Sequence, residues 1–234
     1  MEFIINQRIL EKYPAVKIGV LIAEGIRNPN AHEEFNTLTL SLQEEIRKKL
    51  SLMTLADHPK IKDWRDAYTK FGAKPKTYKN SVEALLRRIL SGEKLPSINS
   101  VVDSYNFISV KHMLPAGGDD LDRVEGNITL TFSDGSKKFT LLGSTKPENI
   151  PVGEVVYSDD KEILCSKWNW RESDKSKMTP ATKNICLVIE GLGATSNEEL
   201  NEALNELKEV IGKYCGGNLR TYILDHTNAR VQIR

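Results

Sequence analysis

The stretch Leu95–Gly126, LPSINSVVDSYNFISVKHMLPAGGDDLDRVEG, constrains the fold more than any other part of the chain. Ile98, Val101, Val102, Tyr105, Ile108 and Val110 recur at steps of three and four, which predicts an amphipathic helix. Pro96 and Ser97 stand where that helix should begin, with Ser97 as the expected N-cap. Asp103 and Asn106, three apart, neighbour each other on its polar side. Side chains at such positions are commonly solvated or bonded to nearby backbone. Leu114–Asp120 reads as a loop, in which Gly117 and Gly118 allow either a tight turn or close approach of backbone to a ligand. An acidic turn then leads into a strand.

Upstream, Phe3–Ile5 and Val16–Ala23 have strand character, and the nearly continuous apolar run of the second predicts a strand covered on both faces. Helical spacing is expected from Ala31 to Ser51, from His58-Pro59 to Phe71, and from Asn80 or Ser81, with Ser81 as cap, to Leu90. Between Lys60 and Lys94, ten Lys and Arg stand against four acids, with Tyr68, Phe71 and Tyr78 interleaved. Such a face is either simply solvated or a contact for an RNA backbone. Downstream, Asn127–Phe132 is expected to pair with Lys138–Leu142 across Ser133–Ser136, and Glu154–Tyr157 with Glu162–Cys165. Trp168-Asn169-Trp170-Arg171 follows; its tryptophans suit either core plugs or an aromatic wall. A buried-type strand, Ile185–Glu190, a helix, Asn197–Tyr214, and a strand, Leu219–Leu224, form a closing β-α-β unit.

These elements define an α+β fold, with mixed β-sheets and flanking helices. The chain reads as one domain, 1–234, in four parts: 1–56 (βαβα), 57–126 (helical and basic), 127–190 (β-hairpins) and 191–234 (closing helix and strand). A net charge of +1 argues against coating nucleic acid by bulk charge, so RNA contact would be local. Three scattered cysteines suit a reducing compartment, and no apolar run reaches 18 residues, so a cytoplasmic location is expected. The four histidines and three cysteines lack metal-binding spacings, and neither a GxSxG elbow nor a GxxxxGK loop is present. No metal or cofactor is expected.

The central stretch resembles the B3/B4 domain of the phenylalanine–tRNA ligase beta subunit, and more closely the free-standing B3/B4 domain proteins. Ile98, Asn99, Val101, Val102, Asp103 and Asn106 match I-N-x-V-V-D-x-x-N. Pro115, Asp120, Leu121, Asp122, Val124, Glu125 and Gly126 match the following P…D-L-D-x-(I/V)-E-G. Trp64-Arg65, Phe71-Gly72, Pro75, Ser81–Arg88 and Trp168–Arg171 also resemble the free-standing family. In the synthetase this domain is an editing module that hydrolyses the ester of tRNA wrongly charged with tyrosine.

The resemblance implies a substrate, the aminoacylated 3′ end of tRNA, and roles for several residues. Glu190 stands where the synthetase has a glutamate that reads the tyrosine hydroxyl. Asn106, Asn169 and the Gly117-Gly118 backbone would position the ester or water, with Trp168 and Trp170 beside them. Arg65, Arg87, Arg88 and Arg171 would hold phosphate or the 3′ end. Gly117 stands in place of a synthetase histidine; His112, five residues earlier, is the candidate to compensate, and otherwise a helix-end histidine facing the dipole. Three functions follow: an editing hydrolase acting in trans, a non-catalytic module that binds tRNA or an amino-acid-like ligand, and a small-molecule enzyme reusing the cleft.

Overall fold

A computed structural model describes residues 1–30 and 33–234. In chain order the elements are β1 (Glu2–Ile5), α1 (Gln7–Lys12), β2 (Lys17–Glu24), α2 (Glu33–Lys49), α3 (Pro59–Lys70), α4 (Ser81–Leu90), α5 (Ser100–His112), β3 (Ala116–Asp120) and β4 (Ile128–Phe132). Then come β5 (Lys138–Thr140), β6 (Pro147–Asn149), β7 (Val155–Ser158), β8 (Ile163–Ser166), β9 (Arg171–Glu172), β10 (Asn184–Gly191), α6 (Asn197–Tyr214), β11 (Asn218–Leu224) and β12 (Arg230–Gln232). The expected start of α2 at Ala31 lies outside the described residues. The fold is α+β. No helix among the described residues is long and apolar enough to cross a membrane.

Two sheets organise the molecule. One has the order β12-β1-β4-β7-β8-β9 and is mixed, because β1 and β4 run parallel while its other pairs are antiparallel. The second, β11-β2-β10-β3, is antiparallel throughout. Both β10 and β11 pair with β2, so the expected β-α-β unit is split by a strand from the start of the chain. This explains the apolar run in β2. Ile18, Val20 and Ile22 join a core shared with the first sheet, while Leu21 and Ala23 join a second core with residues of α5 and α6. A central strand with packed layers on both sides has no polar face.

The stretch from Leu95 to Asp120 departs from its expected form at both ends. The N-cap of α5 is Asn99, whose side chain accepts the Val102 N–H at 3.0 Å. Ser97 instead donates to Asp103 (3.0 Å), which also accepts the Ile98 N–H (2.8 Å), so Asp103 anchors the approach to the helix. At the other end Met113 takes a left-handed conformation (φ 56°), and the chain enters β3 within three residues. The expected glycine loop is therefore an edge strand: Gly117 and Gly118 face Val188 and Leu187 of β10. Gly118 permits close approach of backbone, since a Cβ there would lie 2.3 Å from the Cys186 carbonyl oxygen.

Two further expectations are corrected. Asn80, not Ser81, caps α4, accepting the Glu83 N–H at 2.8 Å. Strand β5 pairs with β6 and not with β4, because β1 and β7 already occupy both edges of β4. The β7–β8 hairpin forms as expected. Gly118→Ala should destabilise the chain by about 2–4 kcal/mol, since backbone must move to admit the methyl group. Urea unfolding measures this.

Candidate functional site: a cleft at the junction of the two sheets

Glu190, near the end of β10, is buried (1% exposed) and held by three donors from the chain itself. Its Oε1 accepts the Tyr157 hydroxyl at 2.5 Å and the Trp168 indole N–H at 2.7 Å; its Oε2 accepts the Asn169 amide at 2.7 Å. Asn169 in turn accepts the Tyr68 hydroxyl at 2.9 Å. Burial raises the Glu190 carboxyl above its ordinary range, and the three hydrogen bonds oppose that rise. Trp168 is fully buried and meets Tyr13 and Trp64 edge to face. Lys167 and Trp168 reach this arrangement through consecutive left-handed conformations (φ 49° and 67°). Around Glu190 there remains about 20 Å³ of free space, enough for one water molecule.

The open site lies next door. A cleft of about 450 Å³ runs between the start of α4, the middle of α5, the edge strand β3, the segment Asn169–Glu172 and the turn at Leu141-Leu142. Leu85, Tyr105, Leu141 and Leu142 supply apolar walls. Asn106 of α5 lines it, as well as a second hollow beside Ser97 and Asp103, and among the described residues no side-chain hydrogen bond holds its carboxamide. The hydroxyl of Ser81 is buried with no hydrogen-bond partner among the described residues. Trp170 stands at the rim, edge to face with Tyr78, with Lys167 and Arg171 over its ring. The site therefore combines an aromatic face, an exposed guanidinium and an amide, with an unpartnered hydroxyl buried in its wall.

Glu172 forms part of the same cleft. It belongs to β9, the outer strand of the first sheet, and its carboxyl crosses to β3, the edge of the second. A Cβ on Gly117 would lie 2.5 Å from Glu172 Oε1, so Gly117 is the space that this carboxyl fills. Burial, then the negative charges of Asp119 and Glu190, push Glu172 well above the ordinary carboxylate range; the Cys165 thiol and the Gly118 N–H oppose them. Asp119, which accepts the Ser176 hydroxyl at 2.6 Å, is pushed by burial up to about 7.

The residues expected to act together are thus divided. Asn106, Asn169, Trp170 and Arg171 converge on the cleft, whereas Glu190, Trp168, Gly117 and Gly118 line the small enclosed space behind it. Arg65 and Arg87 both contact Oε1 of the fully buried Glu83 at 2.8 Å. Arg88 pairs with Glu93 at 3.1 Å. His112 lies at the end of α5, 2.7 Å from Glu206 of α6, and lines neither space. Sequence reasoning missed Glu172, Tyr157 and the unpartnered Ser81 hydroxyl. No local pattern marks Glu172 or Tyr157, because each contributes through a contact between separate segments. Among the described residues, no group of three or more His, Cys, Asp or Glu is placed to hold a metal ion.

Residues 63–216 match the family model of the B3/4 domain, and the chain belongs to that family. The phenylalanine–tRNA ligase beta subunit of Fusobacterium nucleatum subsp. nucleatum is 23% identical over 154 residues, covering 56% of this chain and 19% of that protein. The chain thus spans about a fifth of the length of that curated relative. A crystallised N-terminal fragment of the phenylalanyl-tRNA synthetase beta-subunit from Pyrococcus horikoshii aligns with 93% of this chain and 50% of its own, at 14% identity and a TM-score of 0.48.

Because three buried donors depend on one carboxylate, Glu190→Ala should cost about 3–5 kcal/mol of stability, with loss of native packing around Trp168. Chemical unfolding followed by tryptophan fluorescence tests this.

Proposed function

We propose that the chain binds the aminoacylated 3′ end of tRNA in the cleft and hydrolyses the ester of mischarged tRNA, acting in trans. The supporting observation is the convergence of Asn106, Ser81, Trp170 and Arg171 on one cleft. The relative named above is a tRNA ligase subunit, which makes charged tRNA the ligand class to consider first. An aminoacyl ester is already activated, so hydrolysis needs a held carbonyl, an aimed water and a route for one proton. Asn106 offers a donor for the carbonyl oxygen. Trp170 offers a stacking face for a base, and Arg171 a fork for phosphate. Leu85, Tyr105, Leu141 and Leu142 then receive the amino-acid side chain, while Glu190 stays engaged with Tyr157, Trp168 and Asn169.

A second reading, a non-catalytic module for tRNA or an amino-acid ligand, draws support from Gly117, which brings no side chain to the site, and from the full engagement of Glu190. Incubating the purified protein with a panel of mischarged tRNAs separates the two. The editing reading expects release of one class of amino acid, reduced about 10–100-fold in Asn106→Ala. Arg171→Ala should weaken tRNA binding and lower its salt slope by about one. Salt-dependent binding with no release from any tRNA would favour the non-catalytic module. Absence of tRNA binding would contradict the editing reading and leave the second only with an amino-acid ligand.

A further inference from the structure

Ester hydrolysis moves one proton from the attacking water to the leaving ribose oxygen, and none of the groups assigned above takes it. Glu172 lines both the open cleft and the enclosed space behind it, whereas Glu190 and Asp119 line the enclosed space alone. Gly117 and Asp119 alternate onto one face of β3, and the Glu172 carboxyl lies over Gly117 on that face. The groups that act on Glu172 include Asp119 and the Gly118 N–H of β3, Glu190 of β10, Cys165 of β8 and Tyr105 of α5. Glu190 is engaged by its three donors. Asp119, two residues from Gly117 on that face, is the first like-charged neighbour of Glu172; burial pushes both carboxyls up, with Asp159 and Asp120 adding to the rise at Asp119.

We propose that Glu172 is the proton-transfer group of the cleft, with Asp119 as its positioning partner; this rests on the reading of the cleft as an ester-hydrolysing site. Water attacks the carbonyl carbon, forming the new C–O bond as the C=O π bond opens onto its oxygen, and gives one proton to the ionised form of the pair. That oxygen then re-forms the C=O bond, the bond to the ribose oxygen breaks, and the ribose oxygen takes a proton back from Glu172. The free amino acid and the uncharged tRNA leave, and the pair returns to its starting protonation. Gly117 belongs to this device, because a side chain there would displace the Glu172 carboxyl.

Single-turnover deacylation of the tRNA that the protein discharges, measured from pH 5 to 9, tests the assignment. Glu172→Gln keeps the shape and removes the titrating group, so its rate should fall at least about 100-fold with tRNA affinity within about twofold of the parent. Asp119→Asn removes a negative neighbour of Glu172, so the pH–rate limb should move to lower pH by about one unit or more. A Glu172→Gln rate within about threefold of the parent overturns the proposal. So does an Asp119→Asn profile that coincides with the parent's, a readout that does not depend on how well the first variant folds. If the parent discharges no tRNA, the hydrolytic reading fails and this assignment falls with it. Activity in both the parent and Glu172→Gln overturns the proton-transfer role alone.

Discussion

Glu190 is buried, and three donors from two separate segments are aimed at its two oxygens. A buried carboxylate is tolerable only when its lone pairs are satisfied. This one is satisfied by Tyr157 of β7 in the first sheet and by Trp168 and Asn169 of the segment that leads into β9. Glu190 itself belongs to β10 of the second sheet, so the interaction joins the two sheets. Tyr68 extends the network into α3 through Asn169. The left-handed conformations at Lys167 and Trp168 are the local cost of turning the indole inward, and its fit among Tyr13, Trp64 and Glu190 offsets that cost.

The position of the cleft follows from this junction. With Trp168 and Asn169 held from below, Trp170, Arg171 and Glu172 are presented on the far side, facing α4, α5 and the edge of β3. The B3/4 domain family to which the chain belongs supplies the scaffold, and the particular side chains decide what the scaffold can hold. Buried Glu83 shows the same logic at a second place, where it binds Arg65 and Arg87 and turns part of an apparent basic face into internal structure. Lys175 likewise contacts Glu125 and Asp159 at 2.8 Å each. Arg171, with Trp170 as its neighbour, is left to meet a ligand at the rim.

Elements with regular periodicity were legible from the residues alone: α6 has the bounds its leucine spacing implies, and β2 and β10 follow their apolar runs. The glycine pair at 117–118 was misleading, because a strand edge packed closely against backbone and a ligand loop require the same residue type. The caps of α4 and α5 moved by one and two residues, to Asn80 and Asn99, because asparagine competes equally with serine for that position. Within the site, Asn106, Asn169, Trp170 and Arg171 could be named from motifs. Engagement of Glu190 by Tyr157, 33 residues away, could not, since no local pattern encodes a contact between strands of different sheets. Glu172 escaped notice for the same reason, as its importance comes from Gly117 on the opposite sheet.

The proposed function depends on ligand meeting Trp170 in the open cleft while Trp168 stays sealed with Glu190. The chain has three tryptophans, so their indole N–H signals form a small, assignable set in a two-dimensional nitrogen–proton spectrum. Titration with a 3′-aminoacylamino-3′-deoxyadenosine, an uncleavable mimic of the charged end, is the most direct measurement. The account expects the Trp170 signal to move in a saturable way, with Trp64 and Trp168 unmoved. A shift of Trp168 with Trp170 unchanged would place the ligand at Glu190 and contradict it.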